Sequence, residues 1–320
     1  MKTALKIKFL SLVMLLLLVV FIAITKGSVN LSWSELFLDE NRPILYLRLA
    51  RIFLAILAGM GLAVCGVALQ AILRNPLAEP YLLGTSSGAG LGAVLAIILG
   101  VSNLYLSLSA FCGAILTVVL VYHLARQGNK VSAHSLILSG VIVSVAISAI
   151  MVFLISMSGN EALHGEMWWI WGSLEVYDLR LLLANAVIVI AGVLAIFVFS
   201  QDLNAISIGE EEATHLGIDT EAVKKILLVV TSLITASLVS ICGIVGFVGL
   251  VIPHMTRLIV GPNHRMLLPS ACISAAIFMV FCDLLSRVVF APLEIPIGII
   301  TALIGTPVFI ILLKTKQKVK

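Results

Sequence analysis

Residues 46–72 read YLRLARIFLAILAGMGLAVCGVALQAI, and the only charged side chains in this stretch, Arg48 and Arg51, lie in its first six positions. A helix needs about 20 mostly apolar residues to cross the hydrocarbon core of a bilayer. The sequence therefore predicts an all-α polytopic membrane protein with about ten transmembrane helices. Nine further segments have the same character, at approximately 5–25, 82–100, 104–124, 135–156, 181–200, 223–241, 246–260, 266–288 and 297–313.

The composition excludes a water-soluble enzyme. Hydrophobic residues make up 61% of the 320 residues and charged residues only 11%, whereas soluble domains carry about 25% charged residues. No linker divides the chain, so residues 1–320 are predicted to form a single transmembrane domain. The span at 246–260 is short and contains Pro253 and His254, which leaves open whether it crosses the bilayer fully.

The distribution of basic residues predicts the orientation of the chain. Most lysines and arginines fall on the cytoplasmic side if both termini are cytoplasmic, which agrees with the positive-inside rule. Lys2, Lys6 and Lys8 precede a long apolar run, as in a secretory signal, but no small-residue cleavage site follows that run. We therefore expect a retained first helix in a multi-pass protein of the cell membrane, the inner membrane in a Gram-negative cell.

A short similarity between two distant segments suggests an internal repeat. Leu62–Gly66 reads LAVCG and Val239–Gly243 reads VSICG, and the two begin in predicted helices 2 and 7. Helices 2–5 and 7–10 would then be inverted repeats of each other. Chance similarity between helices rich in small residues explains two such short matches equally well.

A strip of small residues is predicted to serve helix packing. Gly84, Gly88 and Gly92 recur at every fourth position, which places them on one face of a helix. A nucleotide-binding glycine loop is the alternative, but no G-x-G-x-x-G is present and the segment continues into a membrane span.

An acidic segment, residues 201–221, is the longest polar stretch in the interior of the chain. Ser207 and Glu210 match the S-x-x-E capping box, and Gly217 is a typical helix stop. The pattern predicts a short helix at about 208–216 on the cytoplasmic side. The segment is either a solvated loop or a docking element for a cytoplasmic partner, and the pattern alone does not decide between them.

Three arginines lie near the predicted outer ends of spans. Arg48 and Arg51 begin helix 2, and Arg287 is four residues after Asp283 near the end of helix 9. One interpretation is that they anchor the helix ends at the membrane–water interface, with Asp283 and Arg287 as an i,i+4 pair. The other is that they are basic contacts for an acidic external partner.

Catalytic and metal-binding patterns were not found. The five cysteines lie inside apolar runs, the six histidines have no metal-ligand spacing, and no nucleophile–base arrangement occurs. We predict no catalytic residue, no metal, no cofactor and no nucleic-acid partner, only lipid around the spans. Charged residues deep in spans are nearly absent, which argues against an ion-driven pump. A stand-alone secondary transporter or facilitator of a small solute stays an alternative.

Six stretches resemble the FecCD-type permeases of bacterial ABC importers, which include iron-siderophore, haem and cobalamin permeases. They occur in the family's order and are Leu47–Arg51, Arg74–Gly84, Thr85–Ala89, Leu203–Gly217, Gly246–His254 and Glu294–Gly298.

The resemblance implies a permease subunit that carries an iron chelate, haem or cobalamin and performs no chemistry itself. It implies a homodimer, or a dimer with a close paralogue, two cytoplasmic ATPase subunits and one external substrate-binding protein. Ala50 stands where the family commonly has proline. The residues that match the coupling helix are Ser207, Glu210, Ala213, Leu216 and Gly217, and those that match the docking arginines are Arg48, Arg51 and Arg287.

Overall fold

The structure, a computed structural model, describes residues 2–29, 31–36, 38–101, 103–128, 130–158, 169–176 and 178–317. Within these residues the chain is almost entirely helical, with short 3-10 turns at Asp39–Asn41 and Pro80–Leu83. Two short antiparallel strands, β1 Arg126–Gln127 and β2 Lys130–Val131, form a hairpin. The α-helices are α1 Lys2–Thr25, α2 Trp33–Leu36, α3 Arg42–Ile72, α4 Thr85–Ile98, α5 Asn103–Ala125, α6 Ala133–Met157, α7 Leu179–Val198, α8 Ser200–Ile208, α9 Glu210–His215, α10 Thr220–Cys242, α11 Val248–Val260, α12 His264–Val288 and α13 Ile297–Gln317.

The ten predicted spans correspond to ten apolar helices of the described residues, so the predicted fold class is confirmed. Seven of these helices are long and apolar enough to cross a membrane, and α4, α11 and the part Ile297–Leu312 of α13 are shorter apolar helices. With its 13 residues α11 is about 20 Å long, less than the roughly 30 Å of a hydrocarbon core. The segment 246–260 therefore does not cross a bilayer as a helix alone.

Helix α3 lies at the centre of the bundle. It packs against α7, α10, α11 and α12, and nearly all of its side chains from Leu54 to Ile72 are buried. Small residues permit the close contacts, since a methyl group added at Gly59 would collide with the backbone of Ala275, and one at Gly66 with the backbone of Gly249. Close backbone approach is the usual basis of helix association in lipid.

The glycine strip on α4 faces α5. A methyl group at Gly88 would collide with Gly113 and Thr117, and one at Gly92 would collide with the backbone of Ser109. Gly84 precedes α4 with a positive φ of 77°, a conformation that glycine adopts without strain.

The predicted repeat has a structural counterpart in two broken segments. The long α3 is followed by a break and the 14-residue α4, and the long α10 is followed by a break and the 13-residue α11. The two breaks meet. The Tyr81 hydroxyl donates to Val245 O (3.0 Å) and accepts from Val245 N–H (3.1 Å), and the Glu79 carboxylate accepts from Phe247 N–H (3.0 Å). Non-helical backbone within a membrane protein needs such partners, because lipid offers none.

Replacing Tyr81 with phenylalanine is expected to destabilise the protein by about 2 kcal/mol or more, because two buried backbone groups of Val245 lose their partner. Unfolding in detergent followed by circular dichroism measures the change. Tyr105→Phe removes the hydroxyl of an exposed tyrosine and is the matched control. Equal stability of the two variants would show that Tyr81 does not hold the break.

Candidate docking and coupling sites

The three predicted arginines come together where the last turns of α12 meet the first turns of α3. Arg48 and Arg51 are one turn apart on α3, and Asp283 and Arg287 are one turn apart on α12. Glu294 joins them from the segment between α12 and α13. We call Arg48, Arg51, Asp283, Arg287 and Glu294 the arginine cluster.

Asp283 holds the centre of the arginine cluster. Its side chain is fully buried, its Oδ1 accepts from Arg51 Nε (2.5 Å), and its Oδ2 accepts from Arg287 Nε (2.9 Å) and lies 2.8 Å from Arg287 Nη2. Arg51 Nη1 donates to Glu294 Oε2 (2.6 Å). Charged hydrogen bonds of this kind are among the strongest in proteins, and a buried carboxylate is tolerated only with such partners.

Arg48 and Arg287 also bind the end of α1. Arg48 donates to the carbonyl oxygens of Ile24 (2.7 Å), Thr25 (3.1 Å) and Val29 (2.5 Å), and Arg287 donates to those of Lys26 (3.0 Å) and Ala23 (3.4 Å). The last carbonyl groups of a helix lack partners within the helix, and cations stabilise that end. The two arginines thus fasten α1 to α3 and α12.

The structure gives these arginines more internal partners than the sequence suggested. The i,i+4 pair of Asp283 and Arg287 is present, whereas the carbonyl groups of α1 and the Glu294 carboxylate were not foreseen. Arg48 and Arg287 are buried, and the Arg51 side chain is 12% exposed. Of the three, Arg51 has the most accessible side chain. The role of these arginines as contacts for an external partner stays a prediction.

A cavity of about 430 Å³ opens beside Arg51 and Glu294. It lies between the ends of several helices, and two further carboxylates, Glu175 and Asp178, line it together with Trp169. Arg51 therefore binds Asp283 within the arginine cluster and also lines a cavity with acidic walls.

The acidic segment forms two helices. Helix α8 ends at Ile208, Gly209 is extended, and α9 covers Glu210–His215 and stops before Gly217, which has a positive φ of 84°. The predicted helix at 208–216 is therefore present as a shorter helix, and Gly217 lies just past its end.

The capping box proposed for Ser207 and Glu210 is wrong. Ser207 lies within α8, where its hydroxyl donates to Leu203 O (2.6 Å), and the N-cap of α9 is Gly209 without a side-chain cap. Inside a helix, a serine hydroxyl often bonds to the carbonyl four residues earlier. The S-x-x-E spacing therefore also occurs where the serine lies within a helix and does not begin one. Glu210 instead pairs with Lys224 Nζ on α10 (2.5 Å).

Helices α8 and α9 are anchored on two spans. Ala213 of α9 is fully buried, and Glu210 of α9 binds Lys224 at the start of α10. The Asn204 side chain of α8 accepts from the backbone N–H of His264 (2.9 Å) and lies 2.8 Å from its Nδ1, at the start of α12. A displacement of α9 would therefore reach α10 directly, and it would reach α12 through α8.

The outer surface of this segment carries apolar side chains in an acidic surrounding. Ile208 and Leu216, which flank α9, are 70% and 71% exposed, and Glu211 and Glu212 are exposed between them. Apolar side chains with polar residues around them offer a surface that a partner protein can cover. The sequence had indicated Leu216 for this role but not Ile208.

The two sites contact opposite ends of α12. The start of α12 meets α8 at His264, and its end meets the arginine cluster at Asp283 and Arg287. A helix rises 1.5 Å per residue, so the two contacts are about 29–35 Å apart, close to the thickness of a bilayer. One site therefore lies near each membrane surface.

Within the described residues, ten apolar helices with a charged cluster at one end of the bundle and an anchored helix at the other define a multi-span membrane protein. The model of the FecCD transport family matches residues 15–315, and the chain belongs to this family of ABC importer permeases. Membership implies a place in the cell membrane and association with ATPase and binding-protein partners.

Relatives and a solved structure agree with this assignment. The chain is 39% identical to the cobalamin import system permease protein BtuC of Halobacterium salinarum over 272 residues, 85% of this chain and 73% of that one. It is 33% identical to the hemin transport system permease protein HmuU of Yersinia pestis over 95% of both chains. A solved inward-facing structure of a metal-chelate type ABC transporter matches with a TM-score of 0.88 and 34% identity, over 97% of this chain and 99% of the other.

Proposed function

We propose that two copies of this chain form the membrane path of an importer for a metal chelate, haem or a corrinoid. Two cytoplasmic ATPase subunits bind α9 and drive the path, and an external binding protein delivers the cargo at the arginine cluster. Both termini are then cytoplasmic. The observation that carries the proposal is the helix pair α8 and α9 outside the spans, with α9 anchored on α10, α8 anchored on α12, and Ile208 and Leu216 exposed on either side of α9.

The cargo class is supported by an apolar cavity of about 650 Å³ near the break before α11. Among the side chains that line it, only Thr306 and the indole of Trp171 carry a polar atom. A wall of this kind offers few specific bonds, which suits a large cargo selected elsewhere, by the binding protein. The other lining residues are Ile170, Ile244, Gly246, Phe247, Gly298, Ile299, Ala302, Leu303 and Pro307.

Uptake into proteoliposomes tests the proposal. The permease is reconstituted with its ATPase subunits, and the binding protein is added outside with haem, cobalamin or a ferric siderophore. We expect accumulation only with ATP on the ATPase side and only when all components are present. Accumulation by the permease alone, driven by the cargo gradient, would contradict the proposal and favour a facilitator.

Docking of the binding protein is expected to depend on Arg51 more than on Arg48, because Arg48 is buried against main-chain carbonyl groups, whereas the Arg51 side chain is more exposed and lines the cavity. Arg51→Ala should weaken docking several-fold, Arg48→Ala only slightly, and the triple change with Arg287→Ala severely. Raising the salt from about 0.1 M to about 1 M shortens the Debye length from roughly 10 Å to 3 Å, so it should weaken the wild type more than the triple variant. Surface plasmon resonance with the complex in nanodiscs measures these affinities.

Arg42→Ala is the matched control for docking, because Arg42 is an exposed arginine on α3 outside the arginine cluster. The triple change also removes the bonds to α1, so its unfolding temperature is measured alongside. A folded triple variant that binds the partner like the wild type would leave these arginines as structural anchors only.

A further inference from the structure

Arg51 binds two carboxylates that differ in exposure. Its Nε donates to Asp283, whose side chain is fully buried and is shared with Arg287. Its Nη1 donates to Glu294, whose side chain is 29% exposed and lines the 430 Å³ cavity. Of the two, only Glu294 can be replaced by a group from outside without opening the helix bundle.

Glu294 belongs to a segment that leads directly into α13. Ile295 N–H donates to Ser286 O (3.1 Å), and the Ser286 hydroxyl donates to Ile295 O (2.5 Å). Ile297 N–H donates to Gly172 O (3.1 Å), and Gly298 packs on the backbone of Trp171. A shift of Glu294 therefore reaches the start of α13 within four residues.

The start of α13 forms part of the apolar cavity assigned to the path. Gly298, Leu303 and Pro307 line that cavity together with Trp171 and Phe247. The Arg51–Glu294 ion pair thus connects the outer end of α3 to a helix of the path, and it lies at the edge of the surface where docking is proposed.

We propose that Glu294 occupies on Arg51 the position that a carboxylate of the external binding protein takes on docking. This inference rests on the proposed function. The incoming carboxylate replaces Glu294 at Arg51 Nη1, while Asp283 keeps Nε and Arg287. One ion pair is exchanged for another, so Arg51 is never left without a partner, and the segment that leads into α13 loses its ion pair to α3. A partner can shift a conformational equilibrium only through such a difference in contacts between the two states.

Glu294→Gln tests the exchange by removing the competing charge. In the permease–ATPase complex in nanodiscs, we expect the variant to bind the cargo-loaded binding protein about threefold to tenfold more tightly than the wild type. Glu40→Gln is the matched control, because it removes one exposed carboxylate outside the arginine cluster and corrects for the general loss of negative charge. An affinity of Glu294→Gln no higher than that of Glu40→Gln would overturn the inference.

A distance measurement gives a second, independent readout. Spin labels are placed at Leu47→Cys and Leu293→Cys, both exposed, in a background in which the exposed Cys112 is serine. We expect the distance between the labels to lengthen when the binding protein docks on the wild type, and to be longer in Glu294→Gln before docking. Docking with an unchanged distance would overturn the exchange and leave the docking proposal intact. A wild-type complex that does not dock the binding protein would overturn both.

Discussion

Replacing Asp283 with alanine is expected to destabilise the folded permease by about 3–5 kcal/mol, because it leaves two guanidinium groups without their shared counter-ion. Arg287 is buried, so water cannot take the place of the carboxylate there. Glu294 still holds one donor of Arg51, which limits the loss on that side. Unfolding in detergent and the yield of monodisperse protein measure the effect.

Two further variants separate this mechanism from a general loss of packing. Asp39→Ala removes the acid of an exposed ion pair, Asp39–Arg42 (2.9 Å), and is expected to cost less than about 1 kcal/mol. Asp283→Ala combined with Arg287→Met removes one of the two uncompensated charges and should recover part of the stability. A single Asp283→Ala variant within about 1 kcal/mol of the wild type would contradict the central role of this carboxylate.

The spans were predictable from the sequence because a bilayer requires long apolar segments. The prediction of 135–156 became Ala133–Met157, and that of 223–241 became Thr220–Cys242. The same spans placed the breaks before α4 and α11, since the predicted helices ended at 72 and 241 and the next ones began at 82 and 246, close to Thr85 and Val248 in the structure. What the sequence did not predict is that the two breaks contact each other. The groups that satisfy their backbone, such as Tyr81 on Val245, come from distant parts of the chain.

The arginine cluster was only partly predictable. The arginines and the Asp283–Arg287 spacing can be read from local sequence, because they depend on helix ends and on the 3.6-residue period. The contact of Arg51 with Glu294 joins residues 243 positions apart, and that of Arg287 with the carbonyl of Ala23 joins residues 264 positions apart. Local patterns carry no information about such pairs. The wrong capping box has a similar cause, since the bond of Glu210 to Lys224 depends on how α9 folds back on α10.

Replacing Ala213 with phenylalanine is expected to abolish at least about nine-tenths of uptake while leaving the amount of permease in the membrane unchanged. Ala213 is fully buried between α9 and the spans, and overpacking a buried site typically costs about 1–3 kcal/mol through displaced backbone. The displacement falls on α9, because this six-residue helix is held mainly by Ala213 and the Glu210–Lys224 pair. Ile208 and Leu216 would then no longer present their side chains to the ATPase in one geometry.

Ala213→Ser is the matched control for this prediction, because a serine at the same position adds one atom and its hydroxyl can bond to the carbonyl of Gly209 four residues earlier. In proteoliposomes with the ATPase subunits and the loaded binding protein, Ala213→Ser should retain most of the uptake. Ala213→Phe should lose both uptake and the stimulation of ATP hydrolysis by the loaded binding protein. Docking of that protein at the arginine cluster, which contacts the opposite end of α12, should stay intact in both variants. Normal uptake by Ala213→Phe would show that α9 does not transmit the motion of the ATPase, since the bulky side chain displaces α9 from its buried position.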